Sequence, residues 1–240
     1  MSILTDQILY FSGLGAAIGF IHTLLGPDHY IPFIFMARAR KWSMRRTLFI
    51  TAFCGFGHVL SSIAIGFAGV ALGIGVSKLT NIEGLRGDWA AYAFTIFGLV
   101  YMVWGIFRAY KNKPHKHLHQ HNGIVHEHEH VHNNGHDHLH KTEKLTNITP
   151  WVLFVIFVLG PCEPLIPVII YPAIEERGSI AEAVIVSVVF ALVTIITMLA
   201  LVYLLQRGIS FIRLSKFERY THAIAGAMLL LSGLLILLGL

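Results

Sequence analysis

The chain has 240 residues, of which 55% are hydrophobic and 13% are charged, against about 25% charged residues in an average globular domain. Its mean hydropathy of +0.66 excludes a disordered chain and an ordinary water-soluble enzyme, and it predicts an integral membrane protein. The formal net charge is +5. Because the basic residues lie in loops between apolar segments, this charge indicates membrane orientation and excludes a nucleic-acid-binding surface.

Six apolar segments are long enough to cross a bilayer, whose hydrocarbon core takes about 20 residues of helix. They cover residues 7–37, 47–77, 89–109, 149–173, 180–206 and 219–240. We therefore predict an all-α membrane protein with six transmembrane helices. Residues 111–148 form a long loop between the third and fourth helices.

The first and fourth segments each contain a Gly-Pro motif that predicts a broken helix. Residues 26–32 read GPDHYIP, and residues 160–167 read GPCEPLIP. As one straight helix the first segment would measure about 46 Å, too long for a hydrocarbon core of about 30 Å. Since each motif opens a three-helix unit and three is an odd number, we expect two inverted repeats, 1–110 and 149–240. Inverted repeats with broken helices at matching positions are typical of secondary transporters.

Lysine and arginine are concentrated in the first, third and fifth of the loops between these segments. The second loop carries only Lys78 and Arg86, which Glu83 and Asp88 offset. By the positive-inside rule we expect loops one, three and five in the cytoplasm and both termini outside. The expected location is the plasma membrane, which is the inner membrane of a bacterial cell, and membrane lipid is the first expected partner.

Ionisable side chains inside the predicted helices indicate function, because each costs about 2.5–3.5 kcal/mol at the centre of the bilayer. Together with one cysteine they are His22, Asp28, His29, His58, Cys162 and Glu163, and His222 at the start of the sixth segment is a further candidate whose alternative is an interfacial residue. Imidazole, carboxylate and thiolate donors favour nickel, cobalt, zinc or copper over magnesium or calcium. We expect a metal-transport site; the alternatives are structural polar bonding and a proton relay, and for Glu163 a gate. Cys54, which shares a helix face with His58, is expected either to add a ligand or to pack.

The segment HTLLGPDH, His22 through His29, resembles the signature of the nickel/cobalt transporter family, in which a His is followed after a short gap by Asp-His in an early membrane helix. The gap here is five residues, Thr23 to Pro27, where the family pattern has four, and the chain resembles the branch of exporters and urease-accessory-type membrane proteins. The resemblance implies a transporter and not an enzyme. Its substrate would be Ni²⁺ or Co²⁺, with Zn²⁺ as a further candidate, and it implies no organic cofactor. The GPCEPLIP motif resembles the wider superfamily that contains membrane thiol–disulfide carriers of cytochrome c biogenesis.

Eleven of the 15 histidines lie in the long loop. They are His115, His117, His119, His121, His126, His128, His130, His132, His136, His138 and His140. This composition predicts a flexible cytoplasmic segment with little to bury, whose neutral imidazoles bind transition metals. We expect it to buffer or sense metal, with cytoplasmic metal chaperones as partners; the alternative is a loop with incidental metal affinity.

Other functions stay open on the sequence alone. A membrane thiol–disulfide carrier would use Cys54 and Cys162, whose Cα atoms must then lie within about 7 Å. A metal-delivery scaffold would bind metal without flux. The cytoplasmic histidine loop mildly favours export over import. Glycine pairs such as Gly15 and Gly19 allow close helix contacts within the chain or in an oligomer.

Overall fold

The structure, a computed structural model, describes residues 2–111, 115–121, 124–130, 148–174, 179–210 and 219–239. Its helices are α1 (Ser2–Leu25), α2 (Ile31–Ala39), α3 (Met44–Ala71), α4 (Val76–Lys111), α5 (Ile148–Leu159), α6 (Leu165–Ile174), α7 (Ile180–Ser210) and α8 (Thr221–Leu237), with a short 3-10 helix at Pro27–His29. The prediction of a helical membrane domain is confirmed.

Four of these helices are long and apolar enough to cross a membrane. The qualifying stretches are Asp6–Leu25, Met44–Ala71, Val76–Lys111 and Ile180–Gly208, while Ile148–Leu159 and Thr221–Leu237 are shorter apolar helices. Large apolar side chains such as Phe49, Trp89 and Ile196 are more than half exposed on the helix surfaces. Such a surface is stable in lipid and not in water, so the chain is an integral membrane protein.

Both Gly-Pro motifs interrupt helices, as the sequence predicts. The first break separates α1 from α2, and the second separates α5, which ends at Leu159, from α6, which begins at Leu165. Proline lacks the N–H that a continuous helix uses, so the chain leaves the helix at each motif. Each break leaves helix-end carbonyl and amide groups without helical partners, and other parts of the chain must supply them.

Helix α4 is the element that differs most from the prediction. The sequence predicts the third span at 89–109, with Glu83 and Arg86 in the loop before it. The structure instead has one helix, Val76–Lys111, in which Glu83 has no exposed surface. The loop prediction is wrong because the two opposite charges, three residues apart on one helix face, pair with each other inside the protein.

Glycine allows a close helix contact between α4 and α8. A Cβ atom on Gly98 would lie 2.9 Å from the carbonyl oxygen of Gly226, and one on Gly226 would lie 2.8 Å from that of Gly98. These two backbones therefore touch, as small residues allow between membrane helices. Gly15 and Gly19 similarly pack against α7 of the same chain, so their contacts do not require a second copy.

The described part of the histidine-rich segment forms β-strands instead of helix. Its described residues form an antiparallel pair, β1 (His115–His121) and β2 (Ile124–His130), in a register that places His117 opposite His128 and His119 opposite His126. Composition predicts no regular structure here, but a strand ladder needs only backbone N–H and C=O groups. The histidines at 132, 136, 138 and 140 lie outside the described residues.

Candidate metal centre

Three histidines from three separate parts of the chain meet at the first break. His22 lies in the last turn of α1, His29 in the 3-10 helix and His58 in the middle of α3. Their ligand nitrogens all lie within 4.8 Å of one another, and His29 and His58 are each 3% exposed. We call these three residues the histidine cluster. It is the group of at least three potential metal ligands found in the described part of the chain.

The break at Gly26 is what brings His22 and His29 together. On a continuous helix seven residues span about 10.5 Å, whereas the two ring centroids are 4.7 Å apart. A Cβ atom on Gly26 would lie 2.5 Å from Nδ1 of His29 and 2.9 Å from Oδ1 of Asp28. Only glycine leaves room for both side chains to fold back over the turn.

Backbone carbonyls determine which nitrogen carries the proton in two of these rings. Nδ1 of His29 lies 3.1 Å from the carbonyl oxygen of Gly26, and Nδ1 of His58 lies 3.1 Å from that of Phe157. A carbonyl only accepts hydrogen bonds, so each Nδ1 carries the proton and each Nε2 of the neutral ring carries a lone pair. Both Nε2 atoms are buried without a hydrogen-bond partner. Histidines that bind metals in proteins show this same arrangement.

Asp28 and Glu163 lie beside the histidine cluster in different positions. The Oδ1 atom of Asp28 accepts a hydrogen bond from Nδ1 of His29 at 3.2 Å, so this carboxylate orients an imidazole ring. Glu163 is exposed in the second break. Both acids and the histidines at 22 and 29 line a cavity of about 520 Å³. A cation that enters this cavity meets two carboxylates next to the cluster.

The two cysteines lie in different surroundings. Sγ of Cys162 is 3.8 Å from Nε2 of His22, so this thiol lies next to one member of the histidine cluster. Cys54 is fully buried in an apolar core that includes Phe33 and Met198, whereas Cys162 belongs to a second apolar core. Both are free thiols. The structure therefore brings Cys162, and not Cys54, to the candidate site.

Two charged residues with no functional signal in the sequence lie next to the second break. Oε2 of Glu83 accepts a hydrogen bond from the backbone N–H of Cys162 at 3.1 Å, and Arg86 donates to the carbonyl oxygen of Gly160 at 3.3 Å. The sequence shows only two opposite charges at the margin of an apolar segment. Their spacing of three residues is the feature that could have indicated a buried pair on one helix.

The chain matches one protein family. The family model described as the cytochrome c biogenesis protein transmembrane region covers residues 30–235. No curated protein and no solved structure matches the chain. The match confirms the predicted superfamily of membrane thiol–disulfide carriers, and it begins one residue after His29, so two members of the histidine cluster lie outside it. On this evidence the chain belongs to the cytochrome c biogenesis protein transmembrane region family.

Proposed function

We propose that the chain is a secondary transporter of a divalent transition-metal ion, nickel or cobalt foremost, which binds at the histidine cluster. The main support is that the Nε2 atoms of His29 and His58 are both buried without a hydrogen-bond partner. An unsatisfied buried polar group costs about 1–3 kcal/mol. A metal ion held by the histidine cluster would satisfy such lone pairs, because one ligand nitrogen from each ring lies within 4.8 Å of the other two.

The dimensions of the cluster fit an ion after a small rearrangement. Metal–nitrogen distances of about 2.0–2.1 Å in a tetrahedral site put the ligand nitrogens about 3.4 Å apart. The three nitrogens lie within 4.8 Å of one another. Ring rotations that move each nitrogen by about 1 Å would therefore bring them to the spacing of a metal site. Sγ of Cys162 is near enough to Nε2 of His22 to become the fourth ligand.

Element packing supports transport by two inverted units. In the proposed arrangement a broken helix followed by two longer helices occurs twice, as α1–α4 and α5–α8. Helix α1 packs on α7, α5 packs on α3, and α4 packs on α8. A two-fold axis that relates the units would turn the α1–α7 contact into the α5–α3 contact and the α4–α8 contact into itself, so the three contacts agree with such symmetry. Rocking of one unit against the other would then expose the site to each side in turn.

Protons are the proposed coupling ion. A metal ion binds neutral imidazole, ionised carboxylate and thiolate, so binding releases protons and protonation releases metal. With the histidine-rich loop in the cytoplasm, as the charge pattern predicts, the loop would collect metal for export. Cytoplasmic metal chaperones are the proposed donors to that loop.

Thiol–disulfide exchange is the second candidate, because the matched family is named for cytochrome c biogenesis. It requires Cys54 and Cys162 to approach each other and a partner thiol. Both are fully buried and lie in separate apolar cores, and burial hinders attack on a disulfide. The geometry therefore favours metal handling over thiol chemistry.

The test is metal flux into proteoliposomes that contain the purified protein. We expect Ni²⁺ or Co²⁺ uptake by the unaltered chain, an increase with an opposing proton gradient, and at least a tenfold loss in His29→Ala. His222→Ala is the matched control, because this histidine hydrogen-bonds to Tyr101 at 2.8 Å instead of facing the cluster. Cysteine-to-serine replacement at position 54 should leave flux within twofold.

Each alternative has its own outcome in this assay. Absence of flux from intact vesicles, with metal still bound to the protein, would favour the delivery scaffold. Absence of metal flux, together with thiol–disulfide exchange that Cys54→Ser abolishes and His29→Ala leaves unchanged, would favour the thiol carrier.

A further inference from the structure

Glu83 and Arg86 form a buried ion pair on α4, and the free energy of burying the two charges needs more than their mutual attraction to offset it. Glu83 has no exposed surface, and the side chain of Arg86 next to it is 14% exposed. Removing two such charges from solvent costs several kcal/mol each, and the pair is stable only when further hydrogen bonds satisfy both groups. The identity of those further partners therefore indicates what the pair does.

Both side chains bind the backbone of the second break. Nη2 of Arg86 donates to the carbonyl oxygens of Val158 at 2.7 Å and Gly160 at 3.3 Å. Oε2 of Glu83 accepts from the N–H of Cys162 at 3.1 Å. A broken helix leaves such carbonyl and amide groups without partners. The ion pair thus satisfies groups on both sides of Pro161.

Helix α3 contributes two hydroxyl groups to the same network. Oγ of Ser62 donates to Oε2 of Glu83 at 3.0 Å, and Nη2 of Arg86 donates to Oγ of Ser61 at 2.7 Å. These serines lie one turn beyond His58 on α3. The network therefore joins the helix that carries a proposed ligand to the break that carries Cys162.

The surface of α4 is shaped to receive the break. A Cβ atom on Gly87 would lie 2.9 Å from Cγ of Pro161, so the proline ring packs directly on the helix backbone. The nearest neighbour of a Cβ on Gly84 would be Oε1 of Glu163, at 3.5 Å. One face of α4 thus contacts three consecutive parts of the motif, through packing at Pro161, a hydrogen bond at the next residue and proximity at Glu163.

We propose that Glu83 and Arg86 are positioning residues that direct the thiol of Cys162 at the metal, an inference that rests on the proposed function. Glu83 holds the backbone N–H of the same residue whose Sγ lies 3.8 Å from Nε2 of His22. Without this hydrogen bond nothing from α4 would hold the backbone N–H of Cys162, and Sγ of this residue would no longer be directed at His22. A thiolate favours nickel, cobalt or zinc over magnesium or manganese, so the pair governs which metals the site accepts.

The experiment uses Co²⁺ absorption spectra of the full chain with its loop histidines, at the positions between 115 and 140, replaced by asparagine. Cobalt shows visible bands from its ligand field and a near-ultraviolet charge-transfer band from a bound thiolate. We expect both in this parent protein. In Cys162→Ser we expect the visible bands to remain and the near-ultraviolet band to vanish, with about tenfold weaker binding.

The decisive variant is Glu83→Leu/Arg86→Met, which removes both charges and leaves no lone buried charge. We expect it to match Cys162→Ser in spectrum and affinity, and the triple variant to be no weaker than either by more than twofold. Glu182→Leu is the control, because it removes another buried carboxylate on a different helix, α7, and should keep the full near-ultraviolet band.

Outcomes separate this inference from the function beneath it. A parent protein that binds no Co²⁺ overturns the proposed function. A parent with a thiolate band that persists at full intensity in the double variant overturns the positioning role alone. If the double variant does not fold, Arg86→Lys decides: a lysine cannot bind two carbonyls and the carboxylate in one plane, so a band of undiminished intensity there also overturns the inference.

Discussion

Two carbonyl oxygens and one missing side chain determine the chemistry of the histidine cluster. The carbonyls of Gly26 and Phe157 hold the protons of His29 and His58 on Nδ1, which leaves Nε2 of each ring free inside the protein. The sequence predicts all three histidines as ligands. It does not show their hydrogen-bond partners, since Phe157 lies 99 residues from its histidine and becomes a neighbour only through folding.

Gly26→Ala tests the role of the missing side chain. The new methyl group would lie 2.5 Å from Nδ1 of His29, and φ at this position is −86°, so the effect comes from contact and not from backbone strain. We expect at least tenfold weaker Ni²⁺ binding, which is about 1.4 kcal/mol, measured by titration calorimetry on the protein without loop histidines.

Gly13→Ala is the matched control for this change. It lies on α1, the helix that ends just before Gly26, and its Cβ would meet nothing within 4 Å, so binding should stay within twofold and stability should rise slightly. Equal affinity in both alanine variants would show that the turn does not constrain His29.

At the scale of helices, the sequence predicts the two breaks and misplaces the start of α4. Glycine and proline act through the local backbone, so the helix breaks that they cause can be predicted from the sequence. The sequence predicts a loop at Glu83 and Arg86, which lie between two apolar segments, and charges inside a membrane helix are costly. That cost is offset by contacts with α3 and with the second break, which local sequence does not reveal.

Gly226→Ala tests the contact between α4 and α8. Because the new Cβ would lie 2.8 Å from the carbonyl oxygen of Gly98, the two backbones must move apart. Overpacking of this kind costs about 1–3 kcal/mol. We expect a lower midpoint of thermal unfolding in detergent, by several degrees. Gly208→Ala, whose Cβ would contact nothing within 4 Å, should keep the midpoint or raise it slightly, and an equal effect of the two changes would refute the close contact.

At the scale of the molecule, composition alone predicts an integral membrane protein, and the family match agrees with it. The match covers most of the chain but stops short of His22 and His29. The fold is therefore shared with a family named for cytochrome c biogenesis, while two of the three clustered imidazoles lie in a part that the family does not describe. A membrane scaffold of one family can host unrelated chemistry, because function depends on the site.

X-ray absorption spectroscopy of the nickel-loaded protein, with its loop histidines replaced by asparagine, tests whether the histidine cluster binds the metal. We expect one tightly bound nickel per chain, with the scattering pattern of three imidazoles and one sulfur at bonding distance. His58→Ala should lower the imidazole count to two. A nickel surrounded only by oxygen, or no nickel retained in the folded protein, would contradict the assignment of the histidine cluster as the metal site.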